Sequence, residues 1–186
     1  HLLRLLQKQP PSGQPNTAQP VGEKISSLTL NRLQAGRNGH KTGRPINLML
    51  IPGQSILLQG PSGAGKSTLL ETLAGFLPPI SGEILINGHA YWPENNADWQ
   101  GKIGYMTQHP ELLFDTIRNN LCLGRDFTDD ELFIALTSAQ VAHVVRDLPD
   151  MLDYPISENG GYLSGGQAQR IALARVFLHK PDLLLL

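Results

Sequence analysis

One cysteine, Cys122, in 186 residues has no partner within the chain. No internal disulfide can form, which suits a reducing compartment and leaves the thiol a small packing role. Charge of one sign is also lacking. Lys and Arg number 15 against 16 Asp and Glu, a formal charge of −1 with no basic stripe, so nucleic acid is not an expected partner. No run approaches the ~18 consecutive apolar residues of a membrane span, and no signal peptide is evident. Aromatic residues are sparse, and no Phe, Tyr or Trp lies between Leu28 and Gln59. The six histidines show no metal-ligand spacing, which leaves them core or surface roles.

What is present suits one domain with its own core. His1–Lys8 reads as a helix end. Pro10, Pro11, Gly13, Pro15 and Pro20 then make residues 9–21 an extended linker, so that residues 1–21 are expected to connect a preceding domain to residues 22–186. Lys24–Leu33 reads as an irregular strand, residues 35–44 as a loop, and Ile46–Ile51 as a short apolar run ended by the Pro52-Gly53 turn. Ser55–Gln59, apolar and closed by glycine, reads as a buried parallel strand. Lys66–Ala74 has helical periodicity, Glu83–Ile86 reads as a strand entering an Asn87-Gly88 turn, and Lys102–Met106 as a further strand. Trp92 and Trp99 bracket a polar loop and are expected to pack on the core. Thr128-Asp-Asp-Glu131 and Ser164-Gly-Gly-Gln167 both have the form of a capping box. The first opens a helix through Val141; the second opens one through Phe177 that Pro181 ends, and Leu183–Leu186 then reads as a buried strand.

Two runs carry chemistry. Gly60-Pro61-Ser62-Gly63-Ala64-Gly65-Lys66-Ser67 matches the phosphate-cradling P-loop, in the strand–loop–helix context that pattern requires. A triphosphate is dense negative charge, and backbone N–H groups at a helix start are aimed to receive it. The glycines let the backbone approach phosphate oxygens without side-chain obstruction. Lys66 would reach the β- and γ-phosphates as a point charge, Ser67 would ligate Mg²⁺, and Thr68 adds a hydroxyl near the α-phosphate. Ser164, Gly165 and Gly166 repeat the physics: a hydroxyl and two open backbone positions at the positive end of another helix.

Together these runs resemble the ATP-binding cassette of ABC transporters, over roughly residues 22–186. The resemblance implies an α/β P-loop NTPase fold: a RecA-like core with an antiparallel β region, about residues 22–110 and 165–186, and an inserted α-helical subdomain, about 111–164. It matches Gln108 to the glutamine that contacts ATP and joins Ser67 on Mg²⁺. It matches Leu163, Ser164, Gly165, Gly166 and Gln167 to the signature that caps ATP held at Lys66 of a second cassette, paired head to tail. Glu111–Phe114, Thr116–Asn120, Leu148-Pro149, Ile156 and Glu158–Gly160 resemble the exporter subclass, and the order Gly-Gln-Ala-Gln-Arg resembles the half-transporters that export cysteine or glutathione during bacterial cytochrome bd assembly. The implied partners are a second cassette and a transmembrane domain whose coupling helices meet the surface near Gln108 and Glu158. The implied location is the cytoplasmic face of the inner membrane, and the implied activity is ATP hydrolysis that powers export.

Two departures stand out. Exporter cassettes commonly stack an aromatic on adenine upstream of the P-loop; here His40 is the only ring in that stretch, and no stacking residue is assigned. The aspartate, catalytic glutamate and switch histidine of the pattern are expected after Leu186, as for a C-terminally truncated cassette. Neither Glu158 nor His179 substitutes for them, so the 186-residue chain is expected to hydrolyse ATP poorly or not at all. The alternatives are a soluble, non-transport ABC ATPase acting on DNA or ribosomes, disfavoured by the balanced charge and by the absence of a heptad run between Ser67 and Ser164, or a nucleotide-binding fragment without hydrolysis. A P-loop kinase or GTPase would leave Ser164–Gln167 without a task.

Overall fold

The computed structural model describes residues 24–91, 97–156 and 163–186. The expected helix end and linker over residues 1–21, Trp92, and Glu158–Gly160 lie outside the described residues.

The first layer is an antiparallel sheet in the order β4-β1-β5-β6, from β1 (Leu28–Gln34), β4 (Ile46–Leu50), β5 (Ser81–Ile86) and β6 (His89–Tyr91). The irregular alternation in β1 has a physical cause. Its register against β4 shifts between Leu30 and Leu33, and Arg32 takes φ 47°. The extra residue of this bulge lets Leu30 and Leu33 both turn into the core. Residues 35–44 are more than the expected loop. They contain a hairpin, β2 (Gly36–Arg37) and β3 (His40–Lys41), turning at Asn38-Gly39, where both residues have positive φ as a type I′ turn requires. The P-loop helix α1 (Lys66–Leu73) lays Leu69 and Leu73 against this sheet. After β6, α2 (Ala97–Lys102) buries Trp99 completely, and its Nε1 donates to Leu73 O at 2.8 Å, satisfying a carbonyl at the end of α1.

The expected buried strand over Ser55–Gln59 does not form. The segment is irregular, and Ile56 and Leu57 are 46% and 77% exposed. A parallel strand needs a neighbour to receive its backbone groups. Among the described residues the parallel ladder joins only β7 (Ile103–Tyr105) and β8 (Leu183–Leu185), and neither pairs with residues 55–59. The terminal leucines also depart from expectation: Leu185 is buried, while Leu184 and Leu186 are exposed.

A second core is helical. It is built by α3 (Ile117–Cys122), α4 (Asp129–Ser138), α5 (Ala142–Asp147), a 3₁₀ turn at Met151–Asp153, and α6 (Gly165–Leu178). Leu132, Leu136, Val141, Val145 and Ile171 are each fully buried, worth about 1.5–3 kcal/mol apiece for side chains of this size. The helix expected to run through Val141 stops earlier. Gln140 takes φ 58°, its N–H bonds Thr137 O, and Val141 N–H bonds Leu136 O, a Schellman ending that turns the chain into α5. Helix α6 serves both bodies. Ile171, Ala174 and Leu178 enter the helical core, while Val176 packs on β7 at Gly104, where a Cβ would lie 2.4 Å from its Cγ1.

Candidate functional site

Helix α1 starts without side-chain help. Its N-cap, Gly65, has φ 90° and makes no side-chain capping bond, so the first-turn N–H groups have no side-chain acceptor there. Lys66 arches back over the loop, its Nζ donating to Gly60 O at 2.8 Å and Pro61 O at 3.0 Å. An ammonium held by two neutral carbonyls beside open N–H groups is a site for an anion. Ser67 is exposed, its hydroxyl without a hydrogen-bond partner among the described residues, and Thr68 is half-buried. The Ser67 hydroxyl is the hard oxygen donor that Mg²⁺ favours.

The loop is buttressed from behind, by residues the sequence reading passed over. Buried Gln34 donates its Nε2 to Thr42 O at 2.8 Å, Thr42 N–H bonds Ala35 O at 2.9 Å, and Thr42 packs directly against Gly65. A Cβ on Gly65 would meet Thr42 Cβ at 2.8 Å; a Cβ on Gly63 would meet nothing within 4 Å. The β2–β3 hairpin delivers Thr42 to this place, and its Asn38-Gly39 turn was the signal that could have found it.

Helix α6 starts with a complete capping box. Gln167 N–H bonds Ser164 Oγ at 3.3 Å, and Ser164 N–H bonds Gln167 Oε1 at 2.7 Å. Ser164, Gly165 and Gly166 are exposed, nothing would touch a Cβ on either glycine, and Leu163 is half-buried against the helical core. No hydrogen bond among the described residues joins Ser164–Gln167 to the P-loop of the same chain.

Gln108 follows β7 at the surface, in an open hollow of ≈ 460 Å³ shared with Thr107, His109 and Glu111. A second hollow of ≈ 500 Å³ meets it at Thr107 and is lined by the Arg37–Glu71 ion pair and the edge-to-face pair Phe76–Tyr105, centroids 5.2 Å apart. Burial pushes the Tyr105 hydroxyl up, and the Glu71 charge adds to it. His40 sits exposed in the hairpin, paired opposite Arg37. Among the described residues no group of three His, Cys, Asp or Glu side chains is gathered as a metal site.

Comparison with known proteins shows the family and the fold. Residues 44–186 match the family model described as ABC transporter. A multidrug resistance ABC transporter ATP-binding and permease protein of Lactococcus lactis subsp. lactis (strain IL1403) is 39% identical over 145 residues, covering 77% of this chain and 25% of the relative. The ATP-dependent permease MDL1 of Candida albicans is 36% identical over 182 residues, covering 93% of this chain and 27% of that protein. The chain thus spans about a quarter of the length of these curated relatives. Among solved structures, a bacterial Atm1-family ABC exporter with ATP bound superposes with a TM-score of 0.82 at 29% identity, covering 98% of this chain and 32% of the other.

Proposed function

The chain belongs to the ABC transporter family, as an ATPase cassette related to those of exporters, and on that premise we propose that it is the motor domain of a membrane exporter. The observation that carries this reading is the pair of glycine-opened helix starts, one uncapped at half-buried Gly65 and one self-capped at exposed Ser164. The triphosphate of ATP lies along Gly60–Ser67, with Lys66 released from Gly60 O and Pro61 O to the β- and γ-phosphates and Thr68 near the α-phosphate. Mg²⁺ would be held by the Ser67 hydroxyl and the Gln108 amide oxygen, where it would neutralise phosphate charge. Leu163, Ser164, Gly165, Gly166 and Gln167 face the nucleotide of a second cassette, so that binding draws two cassettes together head to tail and hydrolysis releases them. Exposed Leu113 and Phe114, close in sequence after Gln108, supply an apolar surface for the coupling helices of a transmembrane domain. The cassette then works at the cytoplasmic face of the membrane.

The test is transport by the full-length protein in inverted vesicles, with ATP, without ATP, and with Lys66→Ala. Separate arms offer labelled cysteine or glutathione and a fluorescent amphiphilic drug, the second because the relatives' names point to multidrug export. ATP-dependent uptake in either arm that Lys66→Ala abolishes supports the reading. Magnesium-dependent turnover that survives Lys66→Ala, or uptake indifferent to ATP, overturns it.

A further inference from the structure

Asn120, in the middle of the helical core, is fully buried and satisfied on every side. Its Oδ1 accepts from Leu113 N at 2.7 Å and from Arg175 Nη2 at 3.0 Å. Its Nδ2 donates to Leu113 O at 2.9 Å and Thr116 O at 3.0 Å, with Asp115 O at 3.4 Å. Its backbone oxygen accepts from Arg175 Nε at 2.7 Å. One short side chain thus holds the backbone of residues 113–116 on one side and grips α6 on the other.

Arg175 is a costly partner. It is half-buried and pairs with no carboxylate among the described residues, meeting the charge with two amide oxygens only. Burial holds its pKa below the usual guanidinium value. A neutral side chain would fill the space at less expense, so the fork geometry of the guanidinium is the property in use. Arg175 sits on the same continuous helix as the Ser164 cap, about 16 Å along the axis at a rise of about 1.5 Å per residue, so a rigid-body shift of the helix at one moves the other. The loop it reaches carries Leu113 and Phe114, 54% and 70% exposed, and is held independently from its far side by the Ile156 N–H on Asp115 O at 3.0 Å.

We propose that Asn120 and Arg175 are positioning residues that form a latch, through which the loop at 113–116 sets the place of the α6 start. The latch rests on the reading that Ser164 meets a nucleotide held by a second cassette, and deepens it. Force applied to Leu113 and Phe114 from outside reaches the signature through two hydrogen-bond pairs and one rigid helix.

Two substitutions cut the latch at different faces. Asn120→Asp keeps the acceptor for Arg175 and Leu113 N but sets a carboxylate oxygen against the carbonyls of Leu113 and Thr116. Arg175→Lys keeps the charge but loses the fork. In the full-length protein, each lowers kcat for Mg-ATP about tenfold and the double variant lowers it no further, while KM and the affinity of a fluorescent nucleotide stay within about twofold. Wild-type kcat in Arg175→Lys overturns the latch and leaves Asn120 a local loop support. Losses that multiply in the double variant also overturn it, as does a rise in KM matching the fall in kcat. If Asn120→Asp does not fold, Arg175→Lys decides alone by the split between kcat and KM. A wild type without Mg-ATP turnover overturns the motor reading and the latch together, whereas normal turnover in every variant overturns the latch alone.

Discussion

Replacing Gly65 by alanine tests the idea that the hairpin behind the P-loop sets its shape. Gly63 and Gly65 both have positive φ, 80° and 90°, so alanine at either pays about 1–2 kcal/mol for the left-handed backbone. Only Gly65 has a neighbour: its new Cβ lands 2.8 Å from Thr42 Cβ and 2.9 Å from Thr42 Oγ1. Overlap of that kind adds about 1–3 kcal/mol. Gly63→Ala should therefore cost about 1–2 kcal/mol and Gly65→Ala about 2–5 kcal/mol, read as a shifted guanidinium midpoint at unchanged m. Thr42 cannot retreat freely, because Gln34 and Ala35 hold its backbone. Thr42→Gly removes the two nearest atoms and leaves the backbone carbon at 3.2 Å, so in a double-mutant cycle with Gly65→Ala it should return at least about 1 kcal/mol of coupling. Nucleotide titrations should rank the same way, Gly65→Ala binding more weakly than Gly63→Ala. Equal costs at the two glycines, or no coupling to Thr42, would refute the buttress.

Lys66→Ala should weaken fluorescent-nucleotide binding at least about tenfold yet change unfolding by less than about 1 kcal/mol, because its bonds to Gly60 O and Pro61 O are at an accessible loop; a large loss of stability would mean that the lysine is structural. His179, whose Nδ1 lies 3.1 Å from Arg125 Nη1, has its pKa lowered first by burial and then by the Arg125 charge. The unfolded chain then takes up a proton near pH 6.5 that the folded state refuses, so the contribution is whole above that pH and is lost as pH falls toward the folded value. Denaturation between pH 7.5 and 5 should show stability falling, and His179→Gln should flatten that slope; an unchanged slope contradicts the assignment.

How much of this was legible turns on the reach of each interaction. Thr128–Glu131 and Ser164–Gln167 were readable as capping boxes because both partners lie within one helical turn, and all four backbone–side-chain bonds form. Asn87-Gly88 was readable because an apolar strand precedes it. Asn38-Gly39 makes the same turn but is flanked by Arg37, His40 and Lys41, so no hydrophobic alternation drew attention to it. Ser55–Gln59 failed for a different reason. Apolar composition says that a segment can be buried, whereas its strand state depends on a neighbour that no local pattern names. The Asn120–Arg175 contact joins residues 55 apart and leaves no local signature at all.

The Ser164 cap makes a last separation possible, between holding a helix and holding a phosphate. Its oxygen already accepts from Gln167 N–H, while the hydroxyl proton has no acceptor among the described residues. One side chain can therefore cap its own helix and donate to an anion at the same time. Aspartate caps a helix as well as serine does and suits the dipole, so Ser164→Asp should unfold like the wild type, whereas Ser164→Ala should lose about 1 kcal/mol. Toward a neighbour's γ-phosphate the order changes. Alanine merely removes a donor, but a carboxylate about 4 Å from a phosphate charge costs about 4 kcal/mol at an effective dielectric near 20. Stability should thus rank serine with aspartate above alanine, and ATP-driven pairing of cassettes should rank serine above alanine above aspartate, with binding at Lys66 unchanged throughout. Pairing that followed the stability order instead would make Ser164 a helix cap and nothing more.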